Sequence, residues 1–149
     1  MKISQDWSPS ELGRELLRTA SSGPNGSAGT YGRSVAGAAL RFFALGRGRR
    51  RLLLTAAHHA NEWITAPLLL RFAGELAAGV WPGALDGTRV FFAPLVNPDG
   101  ARLVTGELAS GPLFENARRI AEKFPDIPFP DGWKANIRGT DLNLQYPAG

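Results

Sequence analysis

The chain has 149 residues, with 17 Lys and Arg against 13 Asp and Glu, two histidines and no cysteine. That length suffices for one domain burying roughly two-thirds of its unfolded surface. The lack of cysteine excludes disulfides and thiolate metal sites and fits a reducing compartment. No run of about 18 apolar residues exists to span a membrane, and the first seven residues hold no apolar core of a signal peptide, so a cytoplasmic location is expected.

In chain order, Ser8-Pro9-Ser10-Glu11 reads as a helix start, with Ser8 as cap, Pro9 in the first position and Glu11 closing a capping box. Leu12, Leu16 and Leu17 supply that helix's apolar face. Residues 21–29, rich in Ser, Gly, Asn and Pro, read as a flexible loop. Residues 40–45 and 51–57 read as two strands. The basic link Arg47-Gly48-Arg49-Arg50-Arg51 reads as a solvated turn that makes them an antiparallel pair. No aromatic residue interleaves with the arginines for base stacking, so nucleic acid is not an expected partner.

A helix is expected over residues 63–78, with Glu62 in its first turn and Leu68, Leu69, Phe72, Leu76 and Val80 on or near one face. Pro67 falls early, where a missing N–H costs least. Residues 88–96 form a continuous apolar run suited to a strand covered on both faces. Asn97-Pro98-Asp99-Gly100 reads as a turn, residues 116–124 as a short helix, and residues 125–131 as an irregular loop. Strand, helix and strand with long crossovers imply an α/β fold with a mixed sheet flanked by helices.

The chemistry concentrates at His59-Ala60-Asn61-Glu62, where a strand should end and a helix begin. The positive end of the helix dipole favours the Glu62 carboxylate. An imidazole and a carboxylate three residues apart can present one nitrogen and one or two oxygens to a single Zn²⁺. The same spacing also fits a surface histidine and a helix-capping glutamate.

The stretch Ala57-His58-His59-Ala60-Asn61-Glu62-Trp63-Ile64-Thr65 is followed by Asn97-Pro98-Asp99-Gly100 and by Gly139-Thr140-Asp141-Leu142-Asn143. This order resembles the zinc carboxypeptidases of the A and T type. Tyr31-Gly32-Arg33-Ser34 resembles that family's entry into its first strand, and the likeness runs from about Tyr31 to Gly149. Together with Trp133-Lys134-Ala135-Asn136-Ile137-Arg138-Gly139, it looks most like the bacterial γ-D-glutamyl-L-diamino-acid endopeptidases of that family.

The resemblance implies that residues 1–149 are the N-terminal part of a single zinc peptidase domain, apparently truncated. It implies His59 and Glu62 as metal ligands, with Asp141 behind His59 fixing its ring. A third histidine ligand and a late-strand glutamate acting as general base have no counterpart in the sequence. His58 is not a substitute, because neighbours on a strand end point opposite ways. The resemblance further implies that Asn143 touches the substrate's carboxylate end, while Leu144 stands where carboxypeptidases have an arginine. Asn61 also replaces an arginine. Losing both argues against capture of an ordinary C-terminal carboxylate, for which the bidentate arginine is suited. Lys134 or Arg138 would hold the oxyanion.

The implied function is Zn²⁺-dependent hydrolysis of peptidoglycan-derived peptides, in a chain that alone is expected to be inactive and open to self-association. The alternatives are a non-catalytic module binding cell-wall peptides and an aspartoacylase-type zinc amidohydrolase. Trp63 and Asn97-Pro98-Asp99-Gly100 disfavour the amidohydrolase.

Overall fold

The computed structural model describes residues 8–147. The N-terminal stretch read for a signal peptide lies outside them. Four α-helices and three strands appear among the described residues: α1 (Leu12–Ser22), β1 (Ser27–Arg33), β2 (Ala39–Thr55), α2 (Thr65–Ala77), β3 (Asp86–Ala93), α3 (Pro98–Val104) and α4 (Pro112–Ala121). Short 3-10 turns cover Ala60–Glu62 and Leu142–Gln145.

The expected capping box at Ser8 does not form. Glu11 occupies the cap position of α1 without a side-chain cap. Ser10 instead gives its hydroxyl and its backbone N–H to the Glu107 carboxylate, at 2.7 and 3.3 Å. Residues 27–29 of the expected loop belong to β1, which pairs antiparallel with β2 from Ser27↔Ala44 to Arg33↔Ala39. Tyr31 to Arg33 thus end the first strand rather than open it.

The two strands read from residues 40–45 and 51–57 are arms of one extended segment, and they do not pair with each other. Along the first arm the partners in β3 descend, Phe43↔Phe92, Ala44↔Phe91, Leu45↔Val90 and Gly46↔Arg89. Along the second arm they ascend in parallel, from Arg50↔Thr88 to Thr55↔Ala93. Phe92 is partnered by both Phe43 and Leu54, and a strand has only two edges. β3 therefore lies between the arms and makes the sheet mixed. The arginine-rich link crosses the start of β3 so closely that a Cβ on Gly48 would sit 2.0 Å from the Gly87 carbonyl group. Gly46 turns the chain with φ +80°. Only glycine fits both places.

Phe43 and Phe92 stack on one face of the sheet, ring centroids 4.7 Å apart. That face is buried with Leu12 and Leu16 of α1 and Ala66, Leu70, Ala73 and Leu76 of α2. The buried stripe of α2 thus interleaves alanine with leucine, Ala66 and Ala73 with Leu70 and Leu76. Leu68, Phe72 and Val80, expected on the core face, are exposed. α2 also begins later than read, at Thr65, leaving Glu62 in the preceding 3-10 turn. β3 stops at Ala93 because Pro94 has no N–H for the ladder.

Asn97-Pro98-Asp99-Gly100 is the start of α3 and not a free turn. Asn97 caps the helix by accepting from the Gly100 N–H at 3.1 Å, and Pro98 takes the first position. α4 begins four residues earlier than read, at Pro112. It packs with α3 around a second core of Ala60, Leu103, Ala117, Trp133 and Ile137.

Candidate metal centre

His59 and Glu62 come together where β2 leaves the sheet. The His59 Nδ1 lies 3.0 Å from Glu62 Oε1, and its Nε2 lies 3.3 Å from Asp141 Oδ1. Both ring nitrogens thus meet carboxylates, and the tautomer with its proton on Nε2 toward Asp141 would leave the Nδ1 lone pair for a metal shared with Glu62. Two atoms that each bind one zinc at about 2 Å are at most about 4 Å apart, so this nitrogen and oxygen fit a common ion. Among the described residues no group of three or more His, Cys, Asp or Glu side chains could hold a metal. The fit is that of two ligands and one orienting carboxylate.

Backbone contacts set this geometry. The Ala60 N–H donates to the Lys134 carbonyl at 2.9 Å, and the Asn61 N–H to the Trp133 carbonyl at 3.0 Å. The metal loop is thereby stitched to the segment that leads to Asp141. Asn136 closes that segment's last turn, its side-chain oxygen accepting from the Arg138 and Thr140 N–H groups. Asp141 also accepts from the Asn143 N–H at 2.9 Å.

The centre of this framework was not singled out as a site residue. Asn97 is buried, and its side-chain NH₂ donates to the carbonyls of His58 at 3.1 Å and Ala135 at 3.0 Å. One side chain thus caps α3 and clamps the segment carrying His59 and Glu62 to the one carrying Asp141. Asp99, also buried, accepts from Ser34 Oγ and the Ala36 N–H, at 2.8 and 2.9 Å. It ties the turn after β1 to α3. The sequence signal was present: Asn followed by Pro and an acid is a helix start.

His58 does not point away from His59 as a strand would dictate. Ala57 has φ +51°, which ends the alternation. Both histidines border a cavity of about 280 Å³ that also touches Glu62, Thr65 and Asn143. The His58 Nε2 is engaged by the Tyr146 hydroxyl at 2.8 Å. Burial and the nearby His59 lower its pKa, partly offset by Glu62.

Asn143 is exposed on the open side with the ligand pair, and Leu144 is exposed beside it. Asn61 and Lys134 face elsewhere, into a larger cavity of about 600 Å³ that reaches Asp141. Arg138 is exposed and is not among that cavity's walls. The structure thus separates the two cation candidates.

Comparison with known proteins gives a consistent assignment. The family model for zinc carboxypeptidases matches residues 16–149. The chain belongs to the zinc carboxypeptidase family. It is 35% identical to γ-D-glutamyl-L-diamino acid endopeptidase 1 of Lysinibacillus sphaericus, over 78% of this chain and 32% of that protein. It is 32% identical to the uncharacterized protein YqgT of Bacillus subtilis, over 99% of this chain and 44% of that one. The chain thus spans less than half the length of these relatives. Among solved structures, a metallo-carboxypeptidase from Burkholderia cenocepacia superposes with a TM-score of 0.63 at 19% identity, covering 95% of this chain and 33% of that one. Carboxypeptidase A from Helicoverpa armigera gives 0.59 at 20% identity, covering 70% and 27%. These likenesses establish the fold.

Proposed function

We propose that this chain forms the part of a zinc metallopeptidase that holds the metal through His59 and Glu62, and that the enzyme cleaves γ-D-glutamyl–diamino-acid peptides. The observation that carries the reading is His59 held between Glu62 and Asp141. The 35% identity to an endopeptidase of that specificity supports the substrate class.

In this account a bound zinc would polarise the scissile carbonyl and lower the pKa of a water. Asp141 holds the proton of His59 Nε2 and keeps Nδ1 a ligand. Asn97 keeps the loops carrying His59 and Asp141 in register. In this reading Asn143 meets the substrate on the open side and Lys134 supplies the cation for a developing oxyanion, a role supported by its lining the cavity that reaches Asp141, which Arg138 does not line. Asn61 and Leu144 leave this region without the bidentate fork that an arginine would offer a C-terminal carboxylate.

The test is hydrolysis by the protein in its complete cellular form, supplied with zinc. Chelator-sensitive cleavage at the γ-D-glutamyl bond is expected, without release of C-terminal residues from ordinary peptides. Release of C-terminal residues in preference would overturn the substrate assignment. The 149-residue chain by itself is expected to show no turnover.

A further inference from the structure

The cavity of about 600 Å³ beside the candidate metal centre enters the account above only at the end bordered by Asn61, Lys134 and Asp141, and the rest of it has no role there. Its walls come from the last turn of α4 and the loop after it: Ile120, Phe124, Ile127 and Phe129. Phe124 and Ile127 are 55% and 51% exposed, so two large apolar side chains rim an open pocket instead of closing into the core. The loop is held in this shape. The Ile127 N–H donates to the Phe124 carbonyl at 3.0 Å, the Gly132 N–H to the Pro128 carbonyl at 2.7 Å, and the Trp133 N–H to the Pro130 carbonyl at 2.9 Å. Phe129 packs edge-on against Trp133, centroids 6.0 Å apart. A Cβ on Gly132 would meet Ile127 at 2.7 Å, so the loop is closely packed as well as hydrogen-bonded.

Two polar features mark the ends of this apolar surface. Next to the metal centre, the side-chain oxygen of Asn61 is buried without a protein donor. A peptide N–H is the group that would satisfy it. On the loop, Asp126 lines the same cavity, is exposed, and has no ion-pair partner among the described residues. Lys134 also lines the cavity, next to Asn61, so a ligand ammonium is excluded from that end and directed to the carboxylate. An amide acceptor, a hydrocarbon wall and a free carboxylate then match a residue with a backbone N–H, an aliphatic stem and a terminal ammonium.

We propose that this cavity is the specificity pocket for the diamino-acid residue, with its stem on Ile127 and Phe124 and its distal ammonium at Asp126. The proposal rests on the peptidase reading above and extends it to residues outside the metal centre.

The experiment compares binding of γ-D-glutamyl-L-lysine and its norleucine isostere to the complete protein by calorimetry, with zinc removed by chelator so that the peptides are not cleaved, in wild type, Asp126→Asn and Phe124→Ala. Asp126→Asn should reduce the preference for lysine over norleucine by about threefold, the size an exposed ion pair supplies, and leave norleucine affinity unchanged. Phe124→Ala should weaken both ligands alike. An unchanged preference in Asp126→Asn overturns the pocket, and so does a failure of both peptides to bind. If γ-D-glutamyl peptides are still hydrolysed in either case, the peptidase reading stands without the pocket. If α-glutamyl-lysine binds as well as the γ-linked peptide, with the same dependence on Asp126, the pocket stands and the γ-glutamyl assignment falls.

Discussion

The side-chain amide of Asn97 donates to the carbonyl of His58 at 3.1 Å, joining the cap of α3 to the residue beside the candidate metal ligand. The same NH₂ reaches Ala135 at 3.0 Å, and the side-chain oxygen accepts from Gly100. Removing it leaves buried carbonyls and a helix end without partners. Asn97→Ala should destabilise the protein by about 2–4 kcal/mol, several unmade hydrogen bonds in a buried setting. Urea denaturation checks this, and a loss below about 0.5 kcal/mol would mean the clamp is dispensable.

Asp141 acts on the metal through His59. Asp141→Asn removes the charge behind the ring while keeping the shape, and should weaken zinc binding by at least about tenfold. Competition against a chromophoric chelator measures this, with circular dichroism as a control for the fold. Equal affinity in the variant would show that Asp141 caps Asn143 and does nothing more.

Glu107 links the segment before α1 to the end of α3. Burial on its own would raise the pKa of this carboxyl, but hydrogen bonds from Ser10 and Ser8, with Arg102 nearby, bring it below its ordinary value of 4.5. A depressed folded-state pKa stabilises the fold above the unfolded value, and that stability is lost as pH falls through the folded one. Glu107→Gln should therefore cost about 1 kcal/mol at pH 7, with the deficit shrinking below pH 4.5. Thermal melts of both proteins across that range test it, and a deficit constant with pH would contradict the assignment.

Gly48 lies where β2 crosses the start of β3, with the Gly87 backbone 2.0 Å from the position of a Cβ. Gly48→Ala cannot be absorbed by moving a side chain. It should displace the link and destabilise the sheet by about 1–3 kcal/mol, the usual cost of overpacking. Gly74→Ala is the control, since a Cβ there meets nothing within 4 Å, and it should be neutral or mildly stabilising.

What the sequence disclosed follows from which signals are local. The apolar run of β3 and the His59–Glu62 spacing are local, and the structure holds both in place. The interleaving of β3 between the arms of β2 depends on a strand more than thirty residues downstream, and a short glycine-containing link suggests a hairpin whether or not another strand fills it. On α2 the expectation holds for Leu76, which is buried, and Leu69, which packs against the core, and fails for Leu68, Phe72 and Val80, because size is a poor guide to burial where small Ala66 and Ala73 let the helix sit close. The pairing of Asn61 with Lys134 in one cavity, and of Asn143 with the ligand pair in another, depends on tertiary placement of residues 133–143.

The second arm of β2 bears Leu52 and Leu53, 48% and 63% exposed. With Phe42, Phe91 and Tyr31 they border an apolar hollow of about 570 Å³ on the sheet. Apolar strands that stay uncovered template association. The isolated 149-residue chain is expected to self-associate, and Leu53→Lys should reduce it. Light scattering from a monodisperse monomer with a cooperative melt would contradict this.

The account stands on one ion meeting His59 and Glu62. The direct measurement is a zinc titration of the purified chain by calorimetry, wild type against His59→Ala and Glu62→Gln. Weak binding is predicted, because the described residues offer two ligands, and each substitution should abolish it. Zinc affinity unchanged by either substitution, or tight one-to-one binding in both variants, would place the metal elsewhere and contradict the account.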